Sequence, residues 1–192
     1  VPVDSEHFPL WYGAKNHNSK SIENIYLTAS GGPFFKKPIR KYKNIKLHEA
    51  LKHPNWKMGK KISIDSATLM NKILEIVEAH KLFKIPYNKL DILIHPNSLV
   101  HAIIQLKNGL YKFIYHDTSM IIPIANAIFE KNIDIKDFYN PKSKERFNKN
   151  LTFLEVNQEI FPTIKLKKII YKNPLTPIII NASNEVLVDQ FL

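Results

Sequence analysis

Between positions 68 and 83 apolar side chains recur with the period of an α-helix. Leu69, Ile73, Leu74, Ile76, Val77 and Phe83 share one side of the wheel, and Asn71, Glu75 and Glu78 share the other with Lys72 at its edge. Elsewhere the runs are shorter. Residues 25–29 predict a strand that breaks at Ser30-Gly31-Gly32-Pro33, and residues 90–95 predict another. Residues 100–106 and 110–115 predict a hairpin turned at Asn108-Gly109. Residues 61–65 alternate as a strand would, with Ser66 closing it just ahead of the long helix. Val1 to Glu6 reads as a strand end entering a loop. Short helices are expected over 47–52, stopped by His53-Pro54, and over 120–129, with Pro123 in the first turn. A Pro- and Lys-rich connection over 133–150 leads to two further helices, 163–171 and 176–192. The expected fold is α/β (α+β): helices packed on a mixed sheet that contains one antiparallel hairpin.

At 192 residues the chain has room for one domain or a domain with an appendage, and its 44% apolar and 23% charged residues are ordinary for a globular protein. No cysteine is present, which excludes disulfides, a thiolate nucleophile and Cys-ligated zinc. No apolar run approaches the ~18 residues of a membrane span. The net charge of +11 raises nucleic acid as a partner, but the basic residues are lysines except for Arg40 and Arg146, whereas bidentate readers of bases favour arginine. A genome rich in A/T codons accounts for much of that lysine, which reads as scattered on outer faces. A small phosphorylated substrate suits the same field. Val1 is not a methionine and the last helix is still running at Leu192, so both ends read as cut.

Four clusters carry chemistry. Asp4-Ser5-Glu6-His7 sets two carboxylates on one side of an extended backbone, a pattern that suits a hard divalent cation or an ordinary acidic turn. The head of the 68–83 helix gathers Ser66, Asn71 and Lys72, which suits an anion. Ser30-Gly31-Gly32 could cradle one too, although most such turns bind nothing. The 53–59 loop holds Trp56 and Met58 between Pro54 and Gly59, as a lid or as a loop docked on the core. His53 could assist an anion; His95 and His101 read as structural.

These stretches, VDSEH at 3–7, SGGPF at 30–34, HPNWKMGKKISIDSATLMNKILE at 53–75 and NASNE at 181–185, resemble the 1-deoxy-D-xylulose 5-phosphate reductoisomerase family in order along essentially the whole chain. The resemblance implies an NADPH-dependent oxidoreductase of non-mevalonate isoprenoid biosynthesis. It implies a Mg²⁺ or Mn²⁺ site at Asp4, Glu6 and Glu75, counted with His53 as catalytic. Substrate would be held by Ser5, Glu6, Ser30, His53, Ser66, Asn71, Lys72 and Glu75. Trp56 and Met58 would form a flap over about 53–60, with Met58 and Gly59 beside the cofactor. It further implies a homodimer acting on a small phosphorylated sugar in the cytoplasm, a plastid setting remaining open, with no nucleic acid and no membrane.

By the same resemblance, residues 1–132 are the catalytic domain and 133–192 a connection into a C-terminal helical region. An NADPH-binding domain would precede Val1, and the chain alone would be inactive without it. The sequence departs from the family at Phe8-Pro9-Leu10-Trp11, at Ile73 where glycine is usual, and at Ser119 where aspartate is usual. Other readings that stay open are a non-catalytic dimerisation domain and a basic nucleic-acid-binding module.

Overall fold

The computed structural model describes residues 1–15, 17, 19–129, 133–140 and 150–192. Its centre is a mixed five-stranded sheet of order β4-β3-β1-β2-β5. The strands are β1 (Ile22–Ala29), β2 (Leu90–Ile94), β3 (Val100–Leu106), β4 (Tyr111–Tyr115) and the two-residue β5 (Leu154–Glu155). β1 and β2 run parallel and every other pair is antiparallel. The parallel pair needs a long crossover, and the chain between β1 and β2 supplies it with the helices that carry the chemistry.

The β3–β4 hairpin forms as expected, with Gly109 at φ +86° in its turn. Helix α1 (His7–Ala14) covers β3 and β4, while α4 (Met70–Phe83) lies against β1 and β2 and touches α1. The apolar stripe of α4 faces the sheet: Ile73 and Ile76 are fully buried, and Leu74, Val77 and Phe83 pack at the margin. Phe161 and Ile170, from the far end of the chain, join the same core. A second cluster joins Phe34, Ala50, Ile64, Ala67 and Val188, tying α2 (Leu47–Ala50), α3 (Lys60–Ala67) and the last helix, α6 (Thr176–Phe191), to the loop after β1. α5 (Ile121–Phe129) takes the expected place after the hairpin, with Pro123 in its first turn.

Three expectations are corrected. Residues 61–65 are helix, not strand, so Ser66 lies in the last turn of α3. As a strand, Ile62 and Ile64 would share a face; instead Ile62 is 40% exposed and Ile64 is buried, while Asp65 turns inward to partners of its own. Val1 to Glu6 is a turn feeding α1 rather than a strand end: Asp4 Oδ1 accepts the backbone N–H groups of Glu6 (2.8 Å) and His7, which closes an Asx turn just ahead of the helix. Residues 163–171 form a 3₁₀ segment over Pro162–Lys168 rather than an α-helix. β5 is too short to have been anticipated. Part of the predicted 133–150 connection, 141–149, lies outside the described residues.

Candidate active site

A cavity of about 480 Å³ opens where the end of β1, the α3–α4 junction and α1 meet. Asp4, Ser5, Glu6, Ser30, His53, Trp56, Met58, Ser66, Asn71, Lys72 and Glu75 all line it. Of the residues that the family resemblance assigns to the site only Gly59 does not; it caps α3 with open space where a Cβ would stand.

One end of the cavity is acidic. Lys72 Nζ lies 2.7 Å from Glu6 and 2.7 Å from Glu75, and Asn71 also donates to Glu75. Lys72 is buried, which alone would lower its pKa, but the charges of Glu6 and Glu75 outweigh burial and hold it above the usual lysine range. Burial, with the charge of Glu6, pushes Glu75 above the usual carboxylate range, and the Lys72 ammonium beside it works the other way. Asp4 pairs with the fully buried His7, whose Nε2 reaches the Glu75 carbonyl at 3.0 Å. Burial would lower His7, yet Asp4 raises it to about 9, so the ring is a cation at neutral pH. Asp4, His7 and Glu78 offer ligand atoms within 4.8 Å of one another.

The other end is built from neutral donors. Gly31 and Gly32 have φ of +83° and +64°, and a Cβ on Gly32 would stand 2.9 Å from the Ser66 carbonyl oxygen. Glycine is therefore what lets the turn after β1 lie against the end of α3. His53 Nδ1 accepts two backbone N–H groups, from Asn55 (3.1 Å) and Trp56 (2.9 Å), which leaves the proton of the neutral ring on Nε2. Burial, followed by the nearby Lys72, drops His53 to about 4 and keeps it neutral. Nε2 then donates to Ser30 Oγ at 2.9 Å, and the Gly32 N–H donates to the same oxygen at 3.0 Å. Ser30 thus accepts twice and keeps its own hydroxyl proton to give to an anion. The loop carrying Trp56 is pinned at Asn55, which donates to Pro96 and Ser98 (2.7 and 2.8 Å). The Trp56 indole meets His101 edge-on, and His101 stacks on His116.

The structure therefore commits two groups differently from their sequence-based roles. The ammonium of Lys72 is engaged by Glu6 and Glu75, and the amide of Asn71 by Glu75. Sequence reasoning passed over Glu78 and His101 as cavity groups and His7 as the buried partner of Asp4. Glu78 was visible in the Asn71–Glu75–Glu78 stripe, and His7 follows Asp4 by the helical interval of three.

Fold and cavity define an α/β domain with one acidic and one anion-suited end. The family described as 1-deoxy-D-xylulose 5-phosphate reductoisomerase C-terminal domain matches residues 1–83, and that described as DXP reductoisomerase C-terminal domain matches residues 117–192. The chain belongs to the 1-deoxy-D-xylulose 5-phosphate reductoisomerase family. It is 47% identical over 201 residues to that protein from Pelagibacter ubique and 41% identical over 196 residues to that from Wolbachia pipientis, and both alignments take in all of this chain. Two solved structures covering the whole chain are similar in fold. One is DOX-P reductoisomerase in complex with NADPH, fosmidomycin and magnesium (TM-score 0.89, 36% identity), and the other is the Zymomonas mobilis enzyme in complex with NADPH (TM-score 0.88, 33% identity). The chain spans about half the length of the relatives and structures it matches, 49% in each of these four.

Proposed function

We infer that this chain is the substrate-holding half of an enzyme that rearranges 1-deoxy-D-xylulose 5-phosphate and reduces it with NADPH to 2-C-methyl-D-erythritol 4-phosphate. The observation that carries this reading is the meeting, in one cavity, of clustered carboxylates and an anion-suited donor set from sequence-distant segments.

Asp4, Glu6 and Glu75 would hold Mg²⁺ or Mn²⁺. Their donors are hard oxygens, and the local cations Lys72 and His7 fall short of the four carboxylates at that end, Glu78 included, which suits a divalent ion. The group whose ligand atoms already lie within 4.8 Å is Asp4, His7 and Glu78, so the triad would close only as Glu6 and Glu75 leave Lys72. Bound there, the ion supplies Lewis-acid polarisation of the substrate's carbonyl and hydroxyl oxygens. NADPH supplies the hydride, and the open flank of Gly59 beside Met58 leaves room for it.

The chain's own groups do the rest. Ser30, oriented by His53, gives its proton to a phosphate oxygen, Ser66 lines the same end, and Asn71 would add its amide there only on leaving Glu75. Lys72 would belong to the phosphate set only if its contact with Glu6 and Glu75 gave way. Ser5, hydrogen-bonded to Glu6, stands beside the reacting end. Fixing a short substrate at both ends places its reacting carbons between them and turns binding at the unreactive phosphate into orientation. The loop with Trp56 and Met58 closes over this arrangement and excludes water.

In this reading residues 1–132 carry the chemistry and 133–192 lead into a helical region. The exposed edge strand β4, with Tyr111 and Phe113 outward, pairs with a second copy in a homodimer. Among the described residues no helix is long and apolar enough to cross a membrane, and we assign the protein to the cytoplasm.

The test is NADPH oxidation by the intact protein with 1-deoxy-D-xylulose 5-phosphate, with and without Mg²⁺ or Mn²⁺, and the product identified by mass spectrometry. Metal-dependent formation of a methylerythritol phosphate is expected. No turnover with either ion overturns the reading.

A further inference from the structure

The net charge of +11 is not spread over the molecule as the sequence suggested. Residues 36–61 hold ten lysines and arginines against the single acid Glu49, a local charge of +9, so the rest of the chain contributes only +2. Lys37 is paired with Glu49 at 2.7 Å, and Lys61 with Asp65 and Glu185 at 2.8 Å each. The other eight are exposed, and among the described residues no ion pair reaches them. Codon bias accounts for lysine in general but not for its concentration in one segment.

The place of that segment gives the charge a direction. It begins just past the Ser30-Gly31-Gly32 turn and ends inside α3, one turn before Ser66, so it borders the anion-suited end of the cavity. Lys57 lines the cavity itself. Tyr42 holds the segment down by donating to the Phe34 carbonyl at 3.1 Å and by ring contact with Phe34. The acidic end lies across the cavity. A molecule approaching from solvent meets a positive rim on one side and an excess of carboxylate on the other.

We propose that residues 36–61 form an electrostatic funnel that speeds capture of a small phosphorylated substrate and presents its phosphate end first. Charge of one sign clustered along a rim of a cleft steers a ligand of the opposite sign and raises association rates by about tenfold or more, an effect that salt removes. The segment favours a small dianion over nucleic acid. Nine of its ten cations are lysines, and its aromatic rings, Tyr42 and Trp56, face Phe34 and the cavity rather than forming an outward stacking surface.

The inference rests on the sugar-phosphate reading above. Its test uses the intact protein with Mg²⁺, following association of 1-deoxy-D-xylulose 5-phosphate by stopped-flow tryptophan fluorescence. One variant carries Lys36→Gln, Arg40→Gln, Lys41→Gln and Lys43→Gln, all exposed and outside the cavity. The control carries Lys107→Gln, Lys165→Gln, Lys168→Gln and Lys172→Gln, the same change in net charge made elsewhere. The funnel variant is expected to associate about fivefold more slowly at low salt and within twofold of the parent at 0.5 M NaCl, with dissociation rate and kcat unchanged. The control stays within twofold throughout. Equal association rates in both variants, with turnover intact, overturn the funnel alone. No saturable substrate binding in the parent overturns the sugar-phosphate reading and the funnel with it. Salt-sensitive binding of duplex DNA that the first variant loses, with substrate association unchanged, assigns the segment to nucleic acid and overturns the proposal.

Discussion

At one end of the cavity Glu6 and Glu75 share the buried ammonium of Lys72, and Asp4 leans on a cationic His7. At the other end Ser30 offers its hydroxyl from a glycine turn, held by a histidine that stays neutral. The first end is charged, largely buried and internally compensated, so a ligand there must compete with partners already in place. The second has spare donor capacity and little charge of its own, with cations kept at the exposed rim. Buried carboxylates cannot be left without a counter-charge, whereas neutral donors can await an anion at small cost. Metal capture and phosphate capture therefore answer to different conditions, and each can be disturbed separately.

The largest effect is expected at the acidic end. Glu75→Gln keeps the shape of the side chain but removes its charge, and turnover should fall by about 10³-fold with the fold intact. NADPH oxidation and circular dichroism measure the two, and unchanged activity would remove Glu75 from the ligand set. Gly32→Ala strikes the other end through the backbone. The new Cβ collides with the end of α3 at a positive φ, so about 2 kcal/mol of stability and about tenfold in substrate affinity should be lost, while Mn²⁺ affinity by calorimetry holds. Equal loss of metal and substrate binding would erase the distinction between the ends. Trp56→Ala should slow turnover several-fold and loosen substrate without touching metal affinity; a matching fall in metal binding would make Trp56 a core residue rather than a lid.

Acid and base should also separate the ends. His53 is held below its ordinary 6.5, so the unfolded chain takes up a proton that the folded one refuses. Its contribution to stability is complete above about pH 6.5 and is lost toward pH 4. His7, raised to about 9, has the opposite sign: its contribution is complete below about pH 6.5 and fades as the pH passes 9. Denaturant midpoints without divalent metal should fall from pH 7 to pH 4.5, and His53→Asn should narrow the gap. The smallest effect is expected far from the ligands. Asn184→Ala removes a 2.8 Å hydrogen bond from α6 to the buried Asp65, for about 1 kcal/mol by thermal melting, with KM unchanged.

Much of this was legible in the sequence. The stripe of α4 shows because buried Ile73 and Ile76 recur at helical spacing, and the hairpin shows because Asn108-Gly109 permits few alternatives. What was hidden depended on polar groups turning inward. α3 reads as a strand over five residues because Ser63 and Asp65 look like solvent-facing positions. Ser63 in fact donates to the Gly59 carbonyl, and Asp65 holds Lys61 and Asn184. α1 was obscured because Asp4, whose carboxylate holds the turn that leads into it, also reads as a ligand on extended backbone. The residues of the acidic end could be named from sequence, but not which cation would stand between them. Lys72 bridges Glu6 and Glu75 only after α1 and α4 have docked.

Between α3 and α4 the backbone passes through one left-handed residue, Leu69, at φ +65° with its side chain buried. Were 60–83 a single unbroken rod, Ser66 and Asn71, five positions apart, would point about 140° away from each other. The kink at Leu69 swings both toward the same hollow. A core leucine in a costly conformation thus works as a knuckle: the burial that anchors it also aims a hydroxyl and an amide at one visitor.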